Sequence, residues 1–473
     1  MNVLFLNPPS YEDFDGGAGS RYQAVREVKS FWYPTWLCYP AGLIPTSRVL
    51  DAPAADCTTE ETLAVARDFD LVVIYTSTAS LRKDVQTAER IKTARPGIRI
   101  AFVGPHPSIL PEETLQASPA IDLVAHGEFD YTLQEIAEGA EWSQVRGISY
   151  RQGDRIFHNP SREFIEDLDS LPFVTEIYQR DLDIHRYRIP YLLWPYVSIY
   201  TGRGCPGRCI YCLWPQTFTG HRYRMRSVEN VFKEVRQVRE RFPEVQEIFF
   251  DDDTFTANPS RALQLCQRLR PLGLTWSTTA RVDSPREMLK AMKEAGLRLL
   301  VVGYESGSQA ILNHIRKGTT LAQAREFTRE CQRLGIQVHG AFILGLLGET
   351  AQTIEESIRF ACSLDLDTIQ VSLATPYPGT KFYEICQENG YLAPLGMVDE
   401  KGYQVCPVSY PGLAGQEIFQ SVERFYKRFY SRPRFLLSVV KRMIFDRSER
   451  ERLLQEGAEF RQFLKRRREY YKR

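Results

Sequence analysis

Three cysteines, Cys205, Cys209 and Cys212, stand as C-x3-C-x2-C inside the loop Thr201-Gly202-Arg203-Gly204-Cys205-Pro206-Gly207-Arg208-Cys209-Ile210-Tyr211-Cys212. Glycines at 202, 204 and 207 let the backbone fold closely around whatever the thiols hold. Thiolates on short glycine-rich loops are the usual ligands of iron–sulfur clusters. A four-iron cluster held by three cysteines keeps one iron open for another ligand. A rival set is Cys3His zinc, completed by His221 in the run His221-Arg222-Tyr223-Arg224-Met225-Arg226. Against it, zinc modules usually pair their ligands in two short motifs, and only one is present.

The loop must be positioned, and the sequence around it has a βα rhythm. Strands are expected at 196–200, 246–250, 274–280, 298–303, 337–343 and 367–373, with helices near 227–241, 259–270, 285–295, 320–334 and 350–363. Six such units predict a partial (β/α)6 TIM-like barrel, in which function gathers at the C-terminal strand ends. The first strand ends in the cysteine loop. The others end in Asp251-Asp252-Asp253, Thr278-Thr279-Ala280-Arg281, Gly303-Tyr304-Glu305-Ser306-Gly307, Gly345-Leu346-Leu347-Gly348-Glu349-Thr350 and Thr375-Pro376-Tyr377-Pro378-Gly379. One site at that mouth explains polar and glycine residues at the same end of every strand. Each carboxylate has a competing use as a helix cap, and Glu349-Thr350 suits that use well.

Upstream, Val3–Leu6, Leu71–Tyr75, Arg99–Val103 and Ile121–Ala125 are short apolar runs separated by helical ones. This pattern predicts a doubly wound parallel sheet with ligands beyond the strand ends. Those ends carry Pro8, Thr76-Ser77-Thr78, Gly104-Pro105-His106-Pro107 and Gly127-Glu128. Between them lie a flexible stretch, Gly16–Ser20, and an aromatic knot, Trp32-Tyr33-Pro34-Thr35-Trp36. The glycine stretch lacks the Lys-Ser/Thr of a nucleotide-binding P-loop. The boundaries expected are 1–146 for this domain, 147–190 for a linker, 191–410 for the barrel and 411–473 for a helical C-terminal region.

The three cysteines, with aromatic Tyr211 before the last, match the signature of radical S-adenosylmethionine (SAM) enzymes, and the first domain resembles the cobalamin-binding domain that precedes many of their barrels. The resemblance implies a [4Fe–4S] cluster on Cys205, Cys209 and Cys212 whose open iron chelates SAM. It implies reductive cleavage of SAM to a 5′-deoxyadenosyl radical that abstracts hydrogen. It places Tyr211, Asp252, Asp253, Arg281, Glu305, Ser306, Gly345, Gly348 and Glu349 around SAM, with the Asp252-Asp253 turn near the methionine amino group. Thr76, Ser77, Thr78, Gly104, His106, Gly127 and Glu128 are placed around cobalamin. The D-x-H-x-x-G motif of histidine-ligated cobalamin proteins is absent, so His106 is read as a pocket residue. Asn7-Pro8-Pro9-Ser10, Ser30–Trp36 and Cys212-Leu213-Trp214-Pro215-Gln216-Thr217 resemble the hopanoid-biosynthesis-associated branch. That narrower likeness implies a hopanoid lipid substrate, and ring contraction of a hopanoid-linked amino sugar to the cyclitol ether of bacteriohopanetetrol. The alternatives are a cobalamin-dependent radical methyltransferase, a tRNA-modifying enzyme and a non-catalytic cluster or cobalamin sensor. The implied electron donor is of the flavodoxin or ferredoxin type.

With 473 residues, 43% hydrophobic and 25% charged, the composition is that of a multidomain globular chain. The net charge of +1 is unevenly spread: 17 Lys/Arg against 6 Asp/Glu lie from Arg424 onward. Helices are expected at 415–430, 433–445 and 449–470. The last two are basic, and Phe435-Leu436-Leu437 gives the middle one an apolar side. Such helices can rest on an anionic membrane surface. The alternative is a solvated cap on the barrel. A nucleic-acid partner is not expected. No run of 18 apolar residues and no signal peptide are present, and the seven other cysteines are scattered, which predicts a reducing, cytoplasmic setting.

Overall fold

The computed structural model describes residues 1–21, 23–394, 396–433, 435–437, 439 and 447–470. The first sheet comprises β1 (Val3–Asn7), β2 (Ser47–Asp51), β3 (Leu71–Tyr75), β4 (Arg99–Val103), β5 (Leu123–Ala125), β6 (Ile148–Gln152) and β7 (Arg155–His158), in the order β2-β1-β3-β4-β5-β6-β7. Strands β1 to β5 are parallel, and β6 and β7 are antiparallel. The order reverses between β1 and β3, the place where doubly wound sheets open a crevice for ligands. Strand alternation divides the apolar residues between two cores. Val3, Phe5, Val73 and Val103 pack on one face, continuous with the barrel, while Leu4, Leu6, Ile74 and Phe102 pack on the other.

Strand β2 was not expected, because Ser47 and Arg48 break its apolar run at the sheet edge. The hairpin β6–β7 corrects the boundary at 146: the first sheet runs on to His158, through residues expected to form a linker.

The second sheet holds β8 (Tyr196–Ile199), β11 (Glu247–Phe250), β12 (Trp276–Ala280), β13 (Leu297–Glu305), β14 (Gln337–Leu344) and β15 (Thr368–Leu373). All are parallel, in the order β15-β14-β13-β12-β11-β8. Helices Val228–Arg241, Pro259–Leu269, Arg286–Glu294, Leu321–Leu334 and Ala351–Leu364 stand between them. This is the expected six-unit open barrel, with one further short helix, Gln309–His314. A two-residue pair, β9 (Gly202–Arg203) and β10 (Arg224–Met225), roots the cysteine loop.

The gap between β15 and β8 is filled by the insert that follows β1. Val25 N donates to the carbonyl of Gly402 at 2.8 Å. Trp32 meets Phe249 edge-on at 5.9 Å. Tyr33 stacks on Tyr178 and Tyr187 at 4.4 and 4.1 Å, and its hydroxyl donates to the Tyr196 carbonyl at 2.7 Å. Helix Gly415–Tyr430 closes the other flank. Its Ile418, Val422, Phe425 and Phe429 are fully buried, and the Tyr426 and Tyr430 hydroxyls accept the N–H groups of Val371 and Ile369 on edge strand β15.

The C-terminal helix Arg447–Tyr470 folds back onto this wall. Phe460 packs edge-on to Tyr426 at 5.1 Å. Arg467 is turned inward, donating to the Phe419 carbonyl at 3.0 Å with its guanidinium over the Phe419 ring. The expected helix 433–445 lies largely outside the described residues, with Arg434, Lys441 and Arg442 among those outside, as do residues 471–473. Among the described residues no helix is long and apolar enough to cross a membrane.

Candidate active site

The cysteine loop turns where only glycine fits. Gly204 has φ +90°, and a Cβ there would stand 2.3 Å from the Arg222 carbonyl oxygen. A Cβ on Gly207 would meet Cys205 Sγ at 3.3 Å, Arg281 Nη1 at 3.6 Å and Cys209 Sγ at 3.9 Å, so these three groups converge on one point. Gly207 N–H points at Cys205 Sγ, 3.4 Å away. Burial pushes the Cys205 thiol up to about 11, and burial together with Cys209 and Cys205 raises that of Cys212. Desolvated thiols such as those of Cys205 and Cys212 ionise only against positive charge. Arg281 and Lys317 supply part of it. Burial is the largest single effect and opposes the charge of each, yet Asp283 with Cys209 and Cys205 together more than offset it for Arg281, and Glu305 with Cys209 do so for Lys317. A cluster of iron ions would supply the rest, and the donor set fits one. His221 Nδ1 lies 2.9 Å from the Gly207 carbonyl oxygen, which ties this side chain to the cysteine loop.

Two expected SAM contacts are corrected by their hydrogen bonds. Asp252 is fully buried, and its oxygens accept from Thr201 N and Oγ1, both at 2.5 Å, from Gly202 N at 3.3 Å and from the Tyr223 hydroxyl. Asp253 accepts from Gly204 N at 3.2 Å, Thr219 Oγ1 at 3.1 Å and Arg21 at 3.4 Å. Both carboxylates brace the loop from behind. Ser306 is likewise turned away, fully buried with Oγ 3.1 Å from Ser357 Oγ.

Glu305 does reach the mouth. It adopts φ +63°, pairs with Lys317 Nζ at 2.7 Å and accepts from the Tyr211 hydroxyl. At the next strand end Gly345 and Gly348 have φ +90° and +81°. Glu349 is not a helix cap. Thr350 caps helix Ala351–Leu364, while Glu349 folds back to accept Gly345 N–H. Its Oε1 is buried with no partner, and burial pushes its carboxyl up to about 8.

The first sheet's strand ends divide in the same way. Thr76 and Ser77 are fully buried and hold their own turn, Thr76 Oγ1 to Asp84 at 2.5 Å and Ser77 Oγ to Ser80 at 3.1 Å. Glu128, expected beside the corrin, instead takes both guanidinium nitrogens of Arg224 at 2.7 and 2.6 Å and the Ile165 N–H at 2.9 Å. Beside it, Asp130 holds Arg203 at 2.8 and 3.1 Å, and Arg203 lies 4.5 Å from the ring centres of both Trp36 and Tyr39. The first domain therefore grips the cysteine loop two residues before Cys205.

Thr78 and His106 face each other, Oγ1 to Nδ1 at 3.1 Å. Burial pushes His106 down to about 4, so its ring is neutral. Its Nε2 and the Tyr75 hydroxyl are buried without partners. Gly104, at φ +117°, brings its backbone against Thr76, while beside Gly127 no atom lies within 4 Å of a Cβ position. Unpartnered neutral polar groups and open glycine backbone beyond the carboxyl ends of β3, β4 and β5 fit a large, mostly neutral cofactor such as cobalamin. Sequence reasoning missed Arg21, Arg203, Arg224 and Lys317. An arginine between the glycines at 202 and 204 was the available signal for Arg203, and nothing local marks the others.

The "Radical SAM superfamily" family model matches residues 199–361, and the "B12 binding domain" model matches 23–137. An uncharacterized methyltransferase of Pyrococcus horikoshii is 32% identical over 92% of this chain and 94% of its own. This chain belongs to the radical SAM enzymes that carry a B12-binding domain. Its cofactors are accordingly a [4Fe–4S] cluster, SAM and cobalamin, and radical SAM enzymes need an electron donor. The anaerobic magnesium-protoporphyrin IX monomethyl ester cyclase of Rubrivivax gelatinosus is 26% identical over 92% of this chain and 78% of its own. Among solved structures, the radical SAM methyltransferase TsrM of Kitasatospora setae superposes with a TM-score of 0.66 at 16% identity, covering 90% of this chain and 89% of that one. The cobalamin-dependent radical SAM enzyme OxsB superposes with a TM-score of 0.66 at 16% identity, covering 96% and 71%. These two likenesses concern the fold.

Proposed function

We propose that this radical SAM enzyme is a cobalamin-dependent methyltransferase. The observation that carries the reading is the 32% identity to an uncharacterized methyltransferase along nearly the whole of both chains. Ring contraction of a hopanoid-linked sugar has less support, since the two sequence relatives that match along most of this chain are named as an uncharacterized methyltransferase and a cyclase. When bound, the cluster, SAM and cobalamin supply the electron, the radical and the methyl group.

The chain's own residues would act as follows. Cys205, Cys209 and Cys212 hold the cluster, with Arg281 and Lys317 offsetting its negative charge. Glu305 and Tyr211 present a carboxylate and hydroxyl to the zwitterionic end of SAM, and the Gly345–Gly348 turn offers open backbone to its flat adenine. Glu349, protonated near neutral pH, is a neutral donor beside that turn. Thr78, Gly104, His106 and Gly127 face cobalamin. Ile109, the last residue of the short helix Pro105–Ile109 after β4, lies 2.7 Å from where a Cβ on Gly379 of the barrel mouth would stand, so the two strand-end faces oppose each other across the junction. The electron comes from a carrier of the flavodoxin or ferredoxin type. A membrane contact through the C-terminal helices is less favoured, because Arg467 is turned into the protein.

The test is anaerobic turnover of the reconstituted enzyme with [methyl-14C]SAM and extract from a strain lacking this chain. Methyl transfer predicts labelled product and S-adenosylhomocysteine together with 5′-deoxyadenosine. Formation of 5′-deoxyadenosine and product without S-adenosylhomocysteine would overturn it in favour of ring contraction.

A further inference from the structure

A cavity of about 1140 Å³ lies at the opposite end of the barrel from the cysteines. It opens at the first residues of β13, β14 and β15, between the insert and the C-terminal helices. Its size exceeds the roughly 300–1,000 Å³ of ordinary ligand pockets. Leu299, Ile369, Phe435, Leu453 and Phe460 give it a mostly apolar wall. The charge of Arg298 at its edge is tied to Glu247 at 2.7 Å.

Leu299, His339, Thr368 and Gln370 carry the cavity wall to the foot of the lumen. Side chains two apart on a strand share a face, so Leu299, Val301 and Gly303 form one column up β13, and Glu305, beyond a register shift, folds its carboxylate back over Gly303. Tyr304 points the other way, its hydroxyl 2.6 Å from Thr328 Oγ1 on a surrounding helix. The matching inward columns are His339, Ala341 and Ile343 on β14, and Thr368, Gln370 and Ser372 on β15. In a packed barrel these layers fill the interior. In this one Val301, Gly303, Ala341, Ile343, Gln370 and Ser372 keep part of their surface exposed. From Leu299 to Glu305 is six residues, about 20 Å of strand.

His339 carries a polar atom of the wall that has no protein partner, as does Trp32 at its Nε1. His339 is 5% exposed, stacks on Tyr191 at 4.1 Å and meets Thr368 Oγ1 through Nδ1 at 2.8 Å, leaving Nε2 unpartnered. Burial pushes its pKa down to about 3, so the ring is neutral.

We infer that this cavity holds the hydrocarbon body of an elongated, uncharged lipid substrate, hydrogen-bonded to His339, whose reacting end extends up the lumen to the mouth. A neutral imidazole accepts a hydroxyl, and the lining carries three acidic residues, Glu27, Asp367 and Glu456, against Arg26 and the paired Arg298, which favours an uncharged head over a carboxylate. The inference rests on the proposed reaction only for what happens at the mouth.

Gly457 allows a clean test. It lines the cavity, on the helix face that also carries Leu453 and Phe460, and a Cβ there meets nothing within 4 Å. Equilibrium dialysis of the holoenzyme with radiolabelled 1-decanol should show saturable binding, at least tenfold tighter than decanoate. Gly457→Trp should weaken decanol binding about tenfold, with the cluster's visible absorbance retained as the check on folding. His339→Phe should weaken it several-fold. Leu454→Trp, on the same helix but 55% exposed, should leave it unchanged. Absence of saturable decanol binding, or unchanged binding in Gly457→Trp, would overturn the inference. Decanol binding without any label transfer from SAM would keep the lipid cavity and remove the methyl-transfer reading. Label transfer without decanol binding would do the reverse.

Discussion

The C-terminal edges of the two sheets are built from the same βα logic and present opposite chemistry. The first edge offers neutral groups: Thr78, a neutral His106, the unpartnered Tyr75 hydroxyl and bare glycine backbone. The barrel edge offers Arg281, Lys317 and Glu305 beside three thiols. Buried charge persists only where partners offset its desolvation, so the barrel edge has to be a network. A neutral edge needs no such network and can stay open to a bulky ligand. What joins the two edges is itself ionic, Asp130 and Glu128 of the first domain on Arg203 and Arg224 beside the cysteine loop.

Four perturbations separate these roles. The largest effect is expected from Cys209→Ala, which removes a cluster ligand from the barrel edge alone. Iron per chain should fall close to zero and 5′-deoxyadenosine formation should stop, while cobalamin still binds. Retained iron with retained activity would break the assignment.

Next is Arg203→Met, which strips the joint. It leaves Asp130 unpaired and buried, a loss of about 3–5 kcal/mol for a broken buried pair. Urea unfolding should show it, and Arg203→Lys should recover only part because Lys cannot form the paired contacts. An unchanged urea midpoint would mean that the joint is idle.

Glu349 gives a smaller effect, dependent on pH. Its folded value of about 8 lies above the ordinary 4.5, so the folded state holds the proton more tightly. The stabilisation is complete below about pH 4.5 and is lost as pH rises through 8. The cofactor-free protein should therefore lose stability over that window by at most about 1.4 kcal/mol per pH unit, and Glu349→Gln should flatten the curve. A wild-type slope equal to the variant's would show an ordinary carboxyl.

The smallest effect is expected at the neutral edge. His106→Ala removes one hydrogen-bonding group and should weaken cobalamin binding about tenfold, roughly 1.4 kcal/mol, by spectrophotometric titration. Iron content should not change. A fall in iron instead would mean that the two edges are not separable.

Much of this was legible from local patterns. The six barrel strands, their helices and the mouth residues followed from period-two and period-3.6 runs ending in Gly and polar residues, because strand ends inherit their chemistry from the turn that follows. The cysteine spacing named the cluster because ligands so close in sequence share one loop. Legibility failed where identity did not determine direction. Asp252, Ser306 and Glu128 are the expected types at expected strand ends, yet their side chains turn into the protein to satisfy buried N–H and guanidinium groups. Strand β2 and the β6–β7 hairpin were missed because polar residues at exposed edges blur the alternation.

The sequence by itself determined the chemistry-bearing loop, the two βα layers and the cofactor class, since each is encoded by near neighbours. Only the tertiary structure decided which carboxylates brace and which face the mouth. It also decided that the glycine and aromatic insert closes the barrel, that Arg467 is turned inward and that a cavity lies under the lumen. Those outcomes depend on residues hundreds of positions apart competing for the same buried hydrogen bonds, and no local pattern records which of them wins.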